Sequence, residues 1–425
     1  MVIIPRAVEQ CIEKLNNAGF EGFVVGGCVR DSIIGRVPND WDVCTSALPD
    51  ETKTVFKEYK TVDVGIAHGT VAVVFPEESI EITTYRIDGE YKDNRRPEKV
   101  EFTSKIEEDL SRRDFTINAM AYNYESGLVD FFNGKKDIEG KTIRCVGNPY
   151  KRFNEDALRI MRALRFAAQL NYTIEKCTLE AIEDTVELLS NISAERIAVE
   201  LNKLVMAEDP ENMIKLLFEM DIFKIIIEFM HNCKLKVDKM NNFTERCGQI
   251  IRNSPQDLSI RLCILLNYTL DVYGLVKKLK NDEESSIIEK ILRALKYDNN
   301  TIKEVDILSR YYYVDINCEK RGIKKILNLI GIDMFKKLIF MKEAMEKNFN
   351  GDIYIKILNS IEEKSECYKI KDLKINGRDL ISLGIQNGKI IGEILNALLE
   401  MVIENPEMNN RDKLLEAGKK LVQCI

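Results

Sequence analysis

The 425-residue chain carries only two histidines, His68 and His231, and one tryptophan, Trp41. Two imidazoles cannot build a three-histidine zinc centre or a histidine-rich phosphohydrolase site, so catalysis would have to rest on carboxylates, arginines and a metal ion. No pair of the 11 cysteines is spaced as CxxC, which removes the common zinc and redox motifs. Cys44, Cys145, Cys263 and Cys424 stand among apolar neighbours and read as small buried hydrophobes. No apolar run approaches the ~20 residues that span a bilayer. The N-terminus shows neither an apolar signal core nor a small-residue cleavage site, so a cytoplasmic protein without a membrane span is expected. Positive net charge is missing too: 62 Lys and Arg against 69 Asp and Glu leave −7. Any RNA binding would use local basic patches against the field of the whole protein, and is expected to be weak and salt-sensitive.

What is present is an ordinary globular balance, 45% hydrophobic and 31% charged. At ~150 residues per domain the length allows two to four domains. Residues 1–150 hold 12 Gly and 6 Pro, whereas 151–425 hold 10 Gly and 3 Pro. Turns therefore crowd the first part and leave the second almost uninterrupted. Short β-rich runs are expected at 23–25, 41–45, 61–64, 70–75, 80–86 and 142–146. Helices are expected at 29–34, 50–59 and around 117–121. Beyond 151, apolar residues recur at helical spacing in 193–206, 212–230 and 389–403, with breaks at Asp209-Pro210 and Asn253-Ser254-Pro255. The fold class is α+β: a small mixed sheet with helices on one face, followed by an all-helical remainder.

Two constellations carry chemistry. In GGCVRD at 26–31 a strand runs into two glycines and a helix. Glycines without Cβ let backbone N–H groups approach a phosphate, and Arg30 on the first turn could pair with the same group. Alone, a GG pair is a weak signal and reads more readily as a structural turn. In DWD at 40–42, Asp40 and Asp42 leave the same face of a strand, and Trp41 points the other way into the core. Two carboxylates that close repel unless a cation lies between them, and Mg²⁺ takes one or two carboxylates plus substrate phosphates. Glu81 could face the same site or solvent. Along 155–166 (EDALRIMRALRF), steps of about 100° place Asp156, Arg159, Arg162 and Arg165 on one face. That stripe is net positive with little acid nearby to neutralise it, although a solvated charged face has the same pattern. His68, flanked by Gly69, reads as a turn residue.

These motifs, with EITTYR at 81–86, RIDGEYKDNRRP at 86–97, EDLSRRDFTINA at 108–119 and INGRDLISLG at 375–384, make the chain resemble the bacterial tRNA nucleotidyltransferases, the CCA-adding members of the class II superfamily. The resemblance runs in order along most of the chain; only 240–370 rests on helical pattern alone. It implies a nucleotidyltransferase head at 1–150, a helical neck at 151–240, a body at 241–370 and a tRNA-binding tail at 371–425. It implies Mg²⁺ on Asp40 and Asp42, and a triphosphate held by Gly27, Arg30 and Arg113. Asp156 and Arg159 would read the base, with Arg162 and Arg165 bracing the pocket. ATP, CTP and the acceptor stem and elbow of tRNA are the implied partners, and a homodimer is compatible. The loop 86–100 belongs with A addition in this family.

Such a carboxylate–arginine pair explains selection without a nucleic-acid template. Cytosine and adenine share an exocyclic amino donor where uracil and guanine present a carbonyl. A carboxylate accepts from the first and repels the second, while an arginine donates to the neighbouring ring nitrogen. Rival expectations are an A-adding-only enzyme, a poly(A) polymerase, and a catalytically silent RNA-binding protein that kept the fold.

Overall fold

The computed structural model describes residues 2–76, 78–89, 100–231, 243–272, 283–385 and 388–423. The chain forms two compact units, 1–248 with 294–297 and 249–293 with 298–425.

The first unit is built on a sheet. Strands β1 (Gly22–Val25), β2 (Asp42–Thr45), β3 (Lys60–Gly65), β4 (Thr70–Val74) and β5 (Ser79–Thr84) are followed by β6 (Arg86–Asp88) and β7 (Val100–Phe102), which form their own antiparallel ribbon. The chain then returns to the sheet as β8 (Ala121–Asn123) and β9 (Gly127–Val129), giving the order β3-β4-β5-β2-β1-β8-β9. Only β2 and β5 pair in parallel, with Asp42 opposite Glu81, so the sheet is mixed. Helices α1 (Arg6–Asn17), α2 (Gly27–Ile33), α3 (Pro49–Val55), α4 (Ile106–Ser111) and α5 (Gly134–Glu139) surround it. All four residues of β1 are buried, whereas β3 at the edge is largely exposed. On α1, Ala7, Val8, Cys11, Ile12 and Leu15 recur at helical spacing and are buried. Phe23, Val25, Cys44, Tyr85, Leu110 and Ala121 form a core cluster of this unit.

Helices α6 (Pro149–Glu155), α7 (Leu158–Leu170), α8 (Lys176–Thr185), α9 (Ala194–Val205), α10 (Glu211–Glu219) and α11 (Ile222–His231) follow within the same unit. Helix α7 packs against α9. The second unit is helical throughout its described residues. Its helix Leu258–Val272 is buried at every position from Ser259 to Leu270, and a separate cluster of Ile375, Leu380, Ile394, Leu398, Val402 and Leu414 forms the core near the C-terminal end. Among the described residues no helix is long and apolar enough to cross a membrane.

Five expectations change, the simplest being the helix at 50–59, which ends at Val55. The stretch around 117–121 is one 3-10 turn, Thr116–Asn118, leading into β8, because Ala121 and Tyr122 pair with β1. The run 212–230 is two helices, since Asp221 takes φ +52° and turns the chain between α10 and α11. The strand at 142–146 shrinks to Thr142–Ile143, paired with Thr173–Ile174. The ends of the loop at 86–100 are the β6–β7 ribbon; its residues 90–99, and Cys424, lie outside the described residues. Cys44, Cys145 and Cys263 are free and buried, and burial pushes the Cys145 thiol up to about 12. His68 ends a short 3-10 turn, where its carbonyl accepts from the Arg86 guanidinium at 2.6 Å.

Candidate active site

A cleft of about 670 Å³ opens in the first unit, lined by Gly26, Gly27, Arg30, Asp40, Asp42, Arg113, Asp156, Arg159, Arg162 and Arg165, together with Asp31, Asn39, Arg112, Asp114, Asn118, Phe166, Gln169 and Lys203. Every residue expected to hold metal or nucleotide is on its surface, while Glu81 is not among the lining residues. The arrangement differs in detail from the sequence reading.

The turn from β1 into α2 depends on Gly26, whose φ of +85° suits glycine. A Cβ there would also stand 3.0 Å from Arg113 Nη1, so the glycine lets that guanidinium reach the turn. Arg30, buried on α2, donates to Asn118 Oδ1 at 2.6 Å and to Asp31 at 2.9 and 3.1 Å. Arg113 follows α4 and donates to Asp109 at 3.1 Å; Arg112 donates to the same carboxylate at 2.8 Å. Burial alone would raise Asp109, but the two guanidinium charges hold it below the ordinary range.

Strand β2 starts at Asp42, so Asp40 and Trp41 lie in the preceding turn and strand alternation does not place them. Trp41 is only partly buried and is not a core residue. Both carboxylates nevertheless face the cleft and are exposed. Asp42 is raised above the usual carboxylate range by partial desolvation on the cleft wall, then by the charges of Asp40 and Glu81, with Arg113 opposing. Glu81 lies directly across the β2–β5 ladder from Asp42, which answers where its charge acts. Asp40 and Asp42 therefore share the cleft wall, with Glu81 across the ladder from Asp42, although among the described residues no three acidic, His or Cys side chains close into a ready-made metal cage. The carboxylates are hard oxygen donors, the donor set Mg²⁺ prefers, and their mutual repulsion is what a divalent cation relieves.

The opposite wall is α7. The helix does not run from Glu155 through Phe166: Asp156 breaks it with φ −141° and ψ 102°, and α7 starts at Leu158. Asp156 Oδ1 accepts the Leu158 N–H at 3.1 Å, and its carboxylate takes Arg196 of α9 at 2.7 and 3.2 Å. Arg159, Arg162 and Arg165 stay three residues apart on α7, but the expectation of little nearby acid fails. Arg159 pairs with Glu155 at 2.7 Å and also donates to the carbonyls of Arg152 and Arg112. Arg162 pairs with Asp114 at 2.6 Å, and Arg165 with Glu200 at 3.0 Å. Glu155, four residues before Arg159, is already on the wheel drawn for 155–166 and was overlooked, whereas Asp114 and Glu200 come from the loop after α4 and from α9, which that wheel could not show. Asp114 is buried and would be raised by that burial, yet Arg162 and Arg159 pull it down to about 2. Phe166 packs its ring under three guanidiniums, with Arg165, Arg30 and Arg162 at 3.8, 5.0 and 5.3 Å from its centroid.

Sequence reasoning therefore missed Asp114, Arg196, Glu200 and Phe166. Asp114 and Phe166 closed motifs that were already in view. Arg196 and Glu200 are one helical turn apart, so both could face one neighbour, but nothing local says which.

Comparison with known proteins identifies the family. Residues 22–144 match the family described as "Poly A polymerase head domain", residues 171–234 the "Probable RNA and SrmB-binding site of polymerase A", and residues 276–417 the tRNA nucleotidyltransferase domain 2. The chain is 36% identical over 422 residues to the CCA-adding enzyme of Ligilactobacillus salivarius (strain UCC118), covering 97% of this chain and 95% of that one. It is 34% identical to the CCA-adding enzyme of Lactococcus lactis subsp. cremoris (strain MG1363), again covering 97% and 95%. The crystal structure of the Bacillus stearothermophilus CCA-adding enzyme in complex with CTP superposes with a TM-score of 0.79 at 28% identity, covering 99% of both chains. The Thermotoga maritima CCA-adding enzyme complexed with tRNA shares the fold at 23% identity, with a TM-score of 0.70 and coverage of 99% and 97%. With the match spanning nearly its whole length, this chain belongs to the CCA-adding enzyme family of tRNA nucleotidyltransferases.

Proposed function

We infer that this protein builds and repairs the 3′-terminal CCA of tRNA from CTP and ATP, without a nucleic-acid template and with release of pyrophosphate. The observation that carries the reading is the cleft itself: carboxylates on one wall, arginines on the other, and room for one nucleotide between them.

In this reading the backbone at Gly27 and the guanidiniums of Arg30 and Arg113 hold the triphosphate. Arg113 suits that task, because a guanidinium keeps its charge and forks across two phosphate oxygens. Asp40 and Asp42 hold Mg²⁺, with Glu81 beside them. When bound, the ion supplies charge neutralisation and activation of the RNA 3′-hydroxyl. The hydroxyl attacks the α-phosphorus and pyrophosphate leaves, while Arg30 and Arg113 keep the triphosphate in line. Asp156 accepts from the amino group of C or A, and Arg159 gives up one of its carbonyl contacts to donate to the ring nitrogen. Arg162 and Arg165, held by Asp114 and Glu200, brace the base pocket. The body at 241–370 and the tail at 371–425 take the acceptor stem and elbow by shape and backbone contacts, as suits A-form RNA. The cytoplasm, where tRNA, CTP and ATP meet, is the proposed location.

The test is to incubate the purified protein with tRNA ending at the discriminator base and sequence the 3′ end. CCA from CTP plus ATP, with no product from UTP or GTP, is expected. Extension only of tRNA that already ends in CC would reduce the activity to A addition, and no extension at all would contradict the reading.

A further inference from the structure

The environment of Asp156 says more than that it lines the cleft. Its Oδ1 takes two donors, the Leu158 N–H at 3.1 Å and Arg196 Nη1 at 3.2 Å; its Oδ2 takes one, Arg196 Nη2 at 2.7 Å. An ionised carboxylate offers about two acceptor positions per oxygen. Oδ1 is therefore filled, and Oδ2 keeps one lone pair. Arg196 itself is not among the residues that line the cleft, and its side chain is 28% exposed on α9.

We propose that Arg196 is the positioning residue of base selection: its forked grip fixes the Asp156 carboxylate so that the free Oδ2 lone pair meets the exocyclic amino group of the incoming base. This rests on Asp156 being a base reader. The physical need is plain. A carboxylate rejects a carbonyl only if it cannot turn away from it. Left free, the Asp156 carboxylate could rotate about its own bonds and turn from the carbonyl it has to reject. Arg196 offsets the Asp156 charge from behind without occupying the reading position. A guanidinium can do this because it engages both oxygens at once, whereas an ammonium is a point charge that leaves the carboxylate free to rotate.

The experiment uses the full-length enzyme with Arg196→Lys, Arg196→Gln and Asp156→Ala, measuring single-nucleotide addition to tRNA with each of the four triphosphates, with kcat and KM separated, and a melting curve for each protein. Arg196→Lys keeps the charge and the partly exposed surface, so it decides the question even if Arg196→Gln folds poorly. A bidentate base contact is worth roughly 10- to 100-fold in discrimination, so Arg196→Lys should raise KM for CTP and ATP about tenfold and raise relative UTP and GTP use by a similar factor. The kcat for CTP should change little, and Arg196→Gln should move further along the same axis. Unchanged KM and selectivity in Arg196→Lys, with relaxed selectivity in Asp156→Ala, would overturn the role of Arg196 and leave Asp156 as the reader. Unchanged selectivity in Asp156→Ala as well would remove the base-reader assignment and this inference with it. A lowered melting temperature with selectivity intact in the Arg196 variants would leave Arg196 a structural residue only.

Discussion

On the sheet side of the cleft, Asp40 and Asp42 stand on one wall with Glu81 across the ladder, and Asp42 is held above its usual range by desolvation first and then by the charge of Asp40, with Arg113 opposing. On the helix side, Arg159, Arg162 and Arg165 each have an acidic partner within 3.0 Å. One wall is left electrostatically unfinished, and the other is finished before any substrate arrives. The contrast suits their tasks. A cation brought in with the nucleotide completes the acidic edge, so stability is given up there for function. The arginine wall must present fixed donors to a base, and fixed donors need partners that lock their rotamers.

The comparison can be broken at either wall. The largest effect is expected at the acidic edge: Asp42→Asn should cut single-turnover nucleotide addition at least roughly 10²-fold, the scale for loss of preorganised charge stabilisation. The melting temperature should hold or rise, because removing the partly desolvated Asp42 charge relieves its repulsion with Asp40. Near-normal rates in Mg²⁺ would remove Asp42 from the reaction.

On the other wall, Asp156→Ala should lower CTP and ATP use and raise relative UTP and GTP use by roughly 10- to 100-fold. Triphosphate binding through Arg113 should persist, as a nucleotide-competition assay would report. An unaltered preference would mean that Asp156 serves α7 as a cap and nothing more.

A smaller effect, on stability rather than rate, sharpens the view that the arginine wall is assembled in advance. Asp114 sits at about 2 in the folded protein against an ordinary 3.8. A depressed carboxylate stabilises the fold when ionised, so its contribution is full above pH 3.8 and is lost as pH falls toward about 2. The shift corresponds to roughly 2 kcal/mol. Asp114→Asn should therefore lower stability at neutral pH and flatten the acid limb of a denaturation profile over that interval. An unchanged acid limb would show that Asp114 does not carry the wall.

How much of this was legible in the sequence follows from which interactions are local. The glycine turn at Gly26-Gly27 and the short strands around it are read from punctuation and β-branched runs, and they stand where expected. The segment near Ile117 looked helical because its apolar residues cluster, but pairing of Ala121 with Val25 overrides that preference. The break at Asp221 was hidden because apolar spacing continues on both sides, although Asp tolerates the left-handed region. Asp156 carried a weaker signal: it stands one residue before the N-cap Ala157, and an Asp side chain readily accepts the backbone N–H two residues on, as its Oδ1 does from Leu158. Among the neutralising acids only Glu155 was local, four residues before Arg159, and Asp114 and Glu200 carried no signal. Glu200 meets Arg165 across 35 positions and Asp114 meets Arg162 across 48, and one helix's pattern does not contain its neighbours.

The most direct test of the contrast between the walls is the affinity for CTP, measured by titration calorimetry with and without Mg²⁺ in the wild type and in Asp42→Asn. If one wall awaits a cation and the other is ready without it, the two proteins bind CTP alike in the absence of metal, and Mg²⁺ tightens binding in the wild type but not in the variant. An equal response of both proteins to Mg²⁺, or loss of metal-free CTP binding in Asp42→Asn, would contradict it.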